Sequence, residues 1–272
     1  MKFKFVFILF SLTLLLLLLI FIFFPLFLLG PSFLLSYWRT NWPLLLIWVF
    51  LFSAFTFFYL TNKRLFLLLE REDWPALVHY LEERVYKKGR YSSRLVRLLA
   101  TSYLVLADTE GVVKLENKVA VVKPALLDAH VLVFGAARIL GKDFSGAARF
   151  FEARRYTAKP RFKEWVAWYQ GFSFLLDYRL RGAAEEFSRL ARESSNIVVA
   201  ALSAYFLSET LTHVMPEKET EYLEIAAVGK KRTQDALPDI EDWKREIAKF
   251  SPEIHAAVIA KYIEGTGHWL YS

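Results

Sequence analysis

The side chains best suited to chemistry in this sequence are five histidines and a few paired carboxylates. No two histidines have the spacing of metal ligands, and no His-Glu-x-x-His motif is present. The pairs Glu82-Glu83 and Glu185-Glu186 lie in charged helical stretches, where solvation accounts for them. The chain has no cysteine, which excludes a disulfide framework, a cysteine-based zinc site and a thiol nucleophile. The histidines are His79, His130, His213, His255 and His268.

A short glycine-rich stretch, Gly265-Thr266-Gly267, is a phosphate loop only if it precedes a helix. It is followed by His268 and Trp269 and precedes no predicted helix, so we do not expect it to bind phosphate. With no catalytic, metal or cofactor motif, we predict that the protein is not an enzyme, needs no cofactor and has no small-molecule substrate.

Two uncharged segments near the N-terminus predict transmembrane helices. Residues 5–29 are long enough to span about 37 Å as a helix, and residues 43–60 about 27 Å, against a hydrocarbon core of about 30 Å. The first segment is much longer than the apolar core of a signal peptide, so we expect it to be retained. Residues 1–64 are therefore predicted to form a membrane anchor in the lipid bilayer.

The orientation follows from the basic residues that flank the two segments. The link from Gly30 to Asn41 carries only Arg39, so we expect it to lie outside. We predict a multi-pass protein of the cell (inner) membrane, with the large C-terminal domain in the cytoplasm. The basic residues on the inner side are Lys2, Lys4, Lys63, Arg64 and Arg71.

Beyond residue 64, apolar residues recur at three-to-four spacing, which predicts an all-α domain. Four segments align with one another, beginning at Asp73, Thr109, Asp143 and Arg179. Each opens a helix with a bulky residue, followed three residues later by a small or aliphatic one. Short helical hairpins cannot bury an apolar face alone, so a period of about 35 residues predicts a stack of them.

The third and fourth segments resemble the tetratricopeptide repeat, whose pattern places small residues where helices cross and aromatic residues beside them. In the third unit these positions hold Gly135, Phe144, Ala147, Phe151 and Pro160. In the fourth unit they hold Gly171, Leu180, Ala183 and Phe187. The first unit departs at Leu77, and the second has Glu110, Val113 and Asn117 in place of Phe, Ala and Phe.

The resemblance implies a fold in which two N-terminal transmembrane helices precede an α-solenoid of helical hairpins. The repeats are expected to occupy residues 65–230. The basic run Lys230-Lys231-Arg232 and Pro238 are expected to separate them from two capping helices, 240–250 and 252–264, within residues 231–272.

The resemblance also implies a concave face formed by the first helix of each hairpin. This face is apolar, which suits an apolar helix or strand of a partner protein. The alternative is that the chain's own C-terminal helix, with Ile254, Val258, Ile259 and Tyr262, folds into it, because an open apolar face promotes aggregation. The candidate partner-binding residues are Trp165, Trp168, Phe172, Leu175, Leu176, Leu132 and Ile139.

Two basic clusters complete the candidate surfaces, in a chain with a formal net charge of +7. The second cluster lies between Lys142 and Lys163 and includes Arg154 and Arg155. Both suit an anionic leaflet or an acidic partner, with a solvated helix face as the plainer alternative. Nucleic acid is not expected, because the aromatic residues occupy packing positions. The first basic cluster consists of Lys87, Lys88, Arg90, Arg94 and Arg97, with no acid among them.

These features predict a membrane-anchored scaffold that mediates protein-protein interactions in the assembly of an envelope-associated complex. Envelope assembly, secretion and a flagellar motor are all compatible settings. Two membrane helices followed by such repeats are also similar in layout to the HemY family. That similarity implies an accessory subunit of a membrane-associated enzyme or biosynthetic pathway as the alternative function.

Overall fold

The computed structural model describes residues 3–250 and 254–272, and the regular elements within them are all helices. The prediction of an all-α chain is therefore confirmed for these residues. The chain divides into two compact units, Met1–Tyr80 and Leu81–Ser272. We call the second unit the helical domain.

The first unit contains helices α1 (Phe3–Leu29) and α2 (Pro31–Glu70) and most of α3 (Trp74–Glu82). Segments 5–24 and 37–70 are long and apolar enough to cross a membrane, and neither is buried within the protein. The expected 12-residue link is instead part of α2, because Pro31 is accommodated at the start of that helix and Pro43 lies inside it. Only Gly30, with φ of 81°, separates α1 from α2.

Helices α1 and α2 form a hairpin held by aromatic rings. Phe7 stacks on Tyr59 at 3.7 Å between ring centroids and on Phe55 at 5.2 Å. Near the turn, the ring of Phe21 contacts the edge of Trp38 at 5.6 Å. Rings at both ends of the hairpin therefore pack the two apolar helices along their length.

In its described residues, the helical domain continues with a series of further α-helices. From α4 to α11, each helix packs against the next one in sequence. Helix α4 also packs against α7, α7 against α9, and α9 against α11. The helices are α4 (Ser93–Val105), α5 (Thr109–Val122), α6 (Ala125–Ala129), α7 (Val131–Leu140), α8 (Phe144–Arg154), α9 (Lys163–Leu176), α10 (Leu180–Glu193), α11 (Ile197–Phe206), α12 (Thr212–Val214), α13 (Glu219–Ala236), α14 (Ile240–Ala248), α15 (Ile254–Val258) and α16 (Ala260–Tyr271).

The turn inside each hairpin has the same backbone conformation. Non-glycine residues adopt a left-handed conformation at Glu72, Ala107, Lys142 and Tyr178, with φ between 53° and 60° and spacings of 35, 35 and 36 residues. In all four turns the next amide donates to the carbonyl five residues earlier, as when the N–H of Asp143 donates to Arg138 at 2.9 Å. This pattern is the Schellman motif, which ends the first helix.

An aspartate after the left-handed residue then begins the second helix. The Asp108 carboxylate accepts from the Gly111 amide at 2.8 Å, and Asp143 accepts from Gly146 at 3.0 Å. These are N-caps, each worth about 1 kcal/mol. In the fourth turn Arg179 holds this place without a side-chain cap.

The recurring turn corrects the register of the second segment by one residue. The segment begins at Asp108 rather than Thr109, so the position of Phe151 and Phe187 is held by Glu116 instead of Asn117. Glu116 is 7% exposed. A buried carboxylate thus occupies a place that two later hairpins fill with a phenylalanine ring.

Gly135 lies where α7 crosses α8, as the small residue of the repeat pattern implies. A Cβ at this position would lie 2.0 Å from Cζ of Phe151, whose ring is fully buried and stacks on Tyr169 at 5.4 Å. At Gly171, the equivalent position one repeat later, the nearest atom would be 3.1 Å away. Two glycines at one repeat position therefore have different steric demands.

We expect Gly135→Ala to destabilise the helical domain by about 1–3 kcal/mol, because the Phe151 ring has no room to move. Gly171→Ala is the matched control. Its milder contact is offset by the higher helix propensity of alanine, so a change near zero is expected. Chemical unfolding of both variants measures the difference. Equal stability of the two would contradict the close crossing of α7 and α8.

The C-terminal region differs from the expected arrangement in its helix bounds. The segment of the capping helix expected at 252–264 contains α15 and the start of α16, which continues to Tyr271. Helix α13 continues through Lys230, Lys231 and Arg232 to Ala236, so the expected boundary after residue 230 falls inside a helix. The Arg232 guanidinium points back to α10 and donates to the carbonyls of Ala191 at 3.0 Å and Ser194 at 2.9 Å. The basic run is therefore helical, and one of its members caps the end of a neighbouring helix.

The glycine-rich stretch also lies within a helix. Gly265 and Gly267 are part of α16, where an added Cβ would lie 2.8 Å from the Tyr205 hydroxyl and 2.8 Å from Nε1 of Trp243 respectively. Both glycines therefore permit α16 to pack closely against other helices.

Candidate functional site

The face predicted to receive a partner lies on α7 and α9 and is buried. Trp168 has no exposed surface, and Trp165 and Phe172 are 5% and 3% exposed. The Trp168 indole stacks on Phe172 at 5.2 Å and meets the edge of Phe206 at 5.7 Å. The side chains of this face are therefore part of an aromatic core.

The chain's own C-terminal segment covers this face. The Trp165 ring contacts Phe250 at 5.3 Å and His255 at 5.2 Å, and Phe172 contacts Tyr262 at 5.4 Å. Helix α15 packs against α7, and α16 packs against α11. These contacts agree with the self-covering alternative drawn from the sequence.

A buried hydrogen bond fixes the covering segment in place. The Tyr169 hydroxyl donates to the backbone carbonyl of His255 at 2.9 Å, and the His255 ring is 2% exposed. The other predicted members of the face are also covered to differing degrees, with Leu132 and Ile139 buried and Leu175 and Leu176 half-buried. A partner-binding role for this face stays a prediction, and it requires that α15 and α16 leave.

The histidines and acids do not converge on a reactive centre in the described part of the chain. Within residues 3–250 and 254–272, no three His, Cys, Asp or Glu side chains are grouped to hold a metal ion. His79, His213 and His268 are exposed, whereas His130 bonds to the Ser93 hydroxyl at 2.9 Å. A non-catalytic role stays a prediction.

The buried Glu116 carboxylate is held by Arg138. The guanidinium donates to both carboxylate oxygens, at 3.1 Å and 3.0 Å, and to Asp143 at 2.7 Å. Burial by itself lowers the pKa of Arg138, but the bonds to Glu116 and Asp143 outweigh it and raise that pKa. The pair lies beside a cavity of about 410 Å³ lined by Thr109, Lys114, Asn117 and Arg138, among others. Both members of the Glu116–Arg138 pair have hydrogen-bond partners, so we assign the pair a structural role.

An open groove, which was not predicted from the sequence, lies between α14 and the pair α15–α16. Its volume is about 740 Å³, within the range of ligand-sized pockets. The rim carries both signs of charge, on Lys244, Glu264 and His268. On α14, an apolar residue recurs at helical spacing at Ile240, Trp243 and Ile247. This spacing is the sequence signal from which the groove could have been predicted. The apolar lining is formed by Ile240, Trp243, Ile247, Ala248, Ala256, Ala257, Ala260 and Ile263.

The structure separates the predicted basic residues into two kinds. The first basic cluster, Lys87 to Arg97, is exposed at each of its five positions. Arg154 and Arg155 are half-buried instead. Arg154 lies over the Phe150 ring at 3.9 Å, and Arg155 donates to Glu186 through both terminal nitrogens. These two arginines, at the end of α8, are therefore bound within the helical domain.

Comparison with known proteins gives two matches. A family model described as "Uncharacterised Treponema protein" matches residues 111–272. An uncharacterised protein of Treponema pallidum (strain Nichols) is 26% identical over 232 residues, which cover 83% of this chain and 74% of that protein. No solved structure matches the chain.

Proposed function

This chain belongs to the family of uncharacterised Treponema proteins, and we propose that it is a membrane-anchored scaffold. Its tetratricopeptide-like hairpins hold other proteins of an envelope-associated complex. The observation that carries the proposal is the hairpin turn that recurs at Ala107, Lys142 and Tyr178. Repeated hairpins of this kind form solenoids whose surfaces serve binding.

The anchor is formed by α1 and α2, which cross the membrane once each and leave both termini inside. Their length, apolar composition and lack of burial within the protein support the crossing. A third apolar stretch, 197–214, is 61% buried within the helical domain, which supports a role in its core. The helical domain then lies in the cytoplasm, at the inner membrane, as the flanking charges favour.

The partner is an amphipathic helix of another protein, and it binds in the groove between α14 and α15–α16. A groove lined by helices and by mostly apolar side chains suits the apolar face of another helix. The mixed charges of Lys244 and Glu264 at the rim suit the polar side of such a helix. The aromatic face on α9 stays covered while this groove is occupied.

Site-specific photo-crosslinking in intact cells tests the proposal. A photoreactive residue at Ala257, which is exposed in the groove, is expected to capture a partner protein. The same residue at Tyr178, which is 89% exposed on a hairpin turn, is the control position. A second change, Ala260→Trp, fills the groove and is expected to remove the adduct without changing the melting temperature.

Adducts that contain only a second copy of this chain would contradict the scaffold function and would indicate a homo-oligomer instead. An adduct at Ala257 that persists in the Ala260→Trp background would contradict binding in the groove.

A further inference from the structure

We infer that one edge of the helical domain binds the phosphate headgroups of anionic phospholipids. This cationic edge consists of the first basic cluster together with Lys159 and Arg161. It lies where each second helix leads into the next first helix. Connections of this kind share one end of a hairpin stack, because neighbouring helices with short connections are antiparallel.

Side-chain contacts bring these distant segments together. His130 at the start of α7 bonds to Ser93 at the start of α4, with 2.9 Å between the hydroxyl oxygen and Nε2. Burial lowers the pKa of His130, and the positive charges of Arg97, Lys159 and Arg161 lower it further. The Ser93–His130 bond and the bond from Thr157 to Asp128 therefore bring the connection before α4 and the connection before α9 to the same short segment at the start of α7.

Few acids offset this charge. No acidic residue lies between Arg84 and Ala107, where there are five basic ones. The nearby Asp128 accepts from the Thr157 hydroxyl at 3.1 Å and faces Arg154. Glu83 pairs with Lys88 at 3.2 Å, in an exposed contact of small energy. The remaining cations of the edge are exposed and open to an external anion.

Helix stability does not explain the placement of these cations. Arg94 lies in the first turn of α4, and Lys159 and Arg161 directly precede α9. Positive charge at a helix N-terminus is unfavourable, because the helix dipole is positive there. At the opposite edge the turns carry Asp108 and Asp143 at the same kind of helix end, which is the stabilising choice.

An anionic lipid leaflet is the anion nearest to this edge, because the proposed membrane anchor holds the helical domain beside the bilayer. The inference therefore rests on the proposed function. Lys87 follows the last residue of α2 by only 17 positions. Attraction to an anionic leaflet decays over a Debye length of about 8 Å, so a short tether is needed for it to act. The cationic edge then orients the helical domain on the membrane that anchors it.

The test uses the full chain in lipid nanodiscs and exploits the absence of cysteine. Tyr156→Cys places a fluorescent donor at the cationic edge, on a side chain that is 84% exposed, without changing the charge. Tyr178→Cys places it on the opposite edge. Energy transfer to acceptor-labelled headgroups is compared between phosphatidylcholine discs and discs with about a third phosphatidylglycerol.

We expect transfer from position 156 to rise in the anionic discs and to fall again at high salt, with position 178 unchanged. Neutralising a cation of the edge, as in Lys87→Gln, Arg90→Gln or Arg161→Gln, is expected to reduce the ratio of docked to undocked protein about fivefold each. Equal transfer in the two kinds of disc overturns the inference. Binding of an acidic peptide that shields the probe at position 156 in phosphatidylcholine discs also overturns the inference, because that result would assign the edge to an acidic protein. Neither result affects the Ala257 crosslink, so failure here is distinguishable from failure of the proposed scaffold.

Discussion

Replacing Trp168 by alanine is expected to lower the free energy of unfolding of the helical domain by about 3–5 kcal/mol, the range for deletion of a buried aromatic side chain. The indole has no exposed surface and contacts Phe172, Phe187 and Phe206. Its removal leaves a cavity between α9, α10 and α11 that neighbouring rings cannot fill. Chemical unfolding of the detergent-solubilised full chain, followed by near-ultraviolet circular dichroism, measures the loss.

Two variants control this experiment. Trp168→Phe keeps an aromatic ring and removes an Nε1–H that has no hydrogen-bond partner among residues 3–250 and 254–272, so it should cost much less than alanine. Tyr178→Ala alters an exposed side chain and should change stability by less than about 0.5 kcal/mol. Trp168→Glu then separates the two interpretations of this face. Loss of a partner with unchanged unfolding would mean an open binding face, whereas unfolding is expected of a covered one.

Arg138→Ala is expected to destabilise the helical domain by about 3–5 kcal/mol, because it leaves the buried Glu116 carboxylate without its partner. Glu116 is 7% exposed and receives two hydrogen bonds from Arg138. The loss exceeds that of an exposed ion pair, which is typically under about 1 kcal/mol. The Lys244→Ala variant, which breaks an exposed pair with Glu241, is the matched control.

The paired variant Glu116→Leu/Arg138→Leu is expected to recover most of this loss. Replacing both members of a buried pair by apolar side chains is often neutral or stabilising. The following hairpins already use this solution, with Phe151 and Phe187 at the position of Glu116. A double variant as unstable as Arg138→Ala would contradict the account, and so would a single variant of unchanged stability.

The helix positions could be predicted from the sequence, because apolar residues at three-to-four spacing mark a buried helix face and breaker residues mark the helix ends. The register of the second hairpin did not follow, because this hairpin has Ala100 and Glu116 where the third has Gly135 and Phe151. The left-handed turn residue gave no help, since it is not a glycine in any of the four turns. The boundary predicted after residue 230 falls inside α13 for the converse reason, because the residue before the basic run is Gly229. This glycine lies inside a helix and permits close approach, since an added Cβ would lie 2.7 Å from Cβ of Ala204.

The candidate surfaces could likewise be predicted from the sequence only in part. The repeat pattern located the aromatic face on α9, but whether it is open depends on where residues about 85 positions later fold, as the bond from Tyr169 to His255 illustrates. Arg155 belongs to a basic run in sequence, yet it pairs with Glu186 of another helix. Such partners are set by tertiary packing and are invisible to local charge counting.

The membrane anchor is the premise on which both the scaffold and the cationic edge depend, and cysteine accessibility in spheroplasts tests it most directly. Single cysteines at Thr40, near the turn of the α1–α2 hairpin, and at Tyr178, in the helical domain, provide one probe for each side. A membrane-impermeant maleimide is expected to label position 40 in intact spheroplasts and position 178 only after permeabilisation, with the protein retained in the membrane through an alkaline wash. Labelling of position 178 in intact spheroplasts, or release of the protein by the wash, would contradict the account.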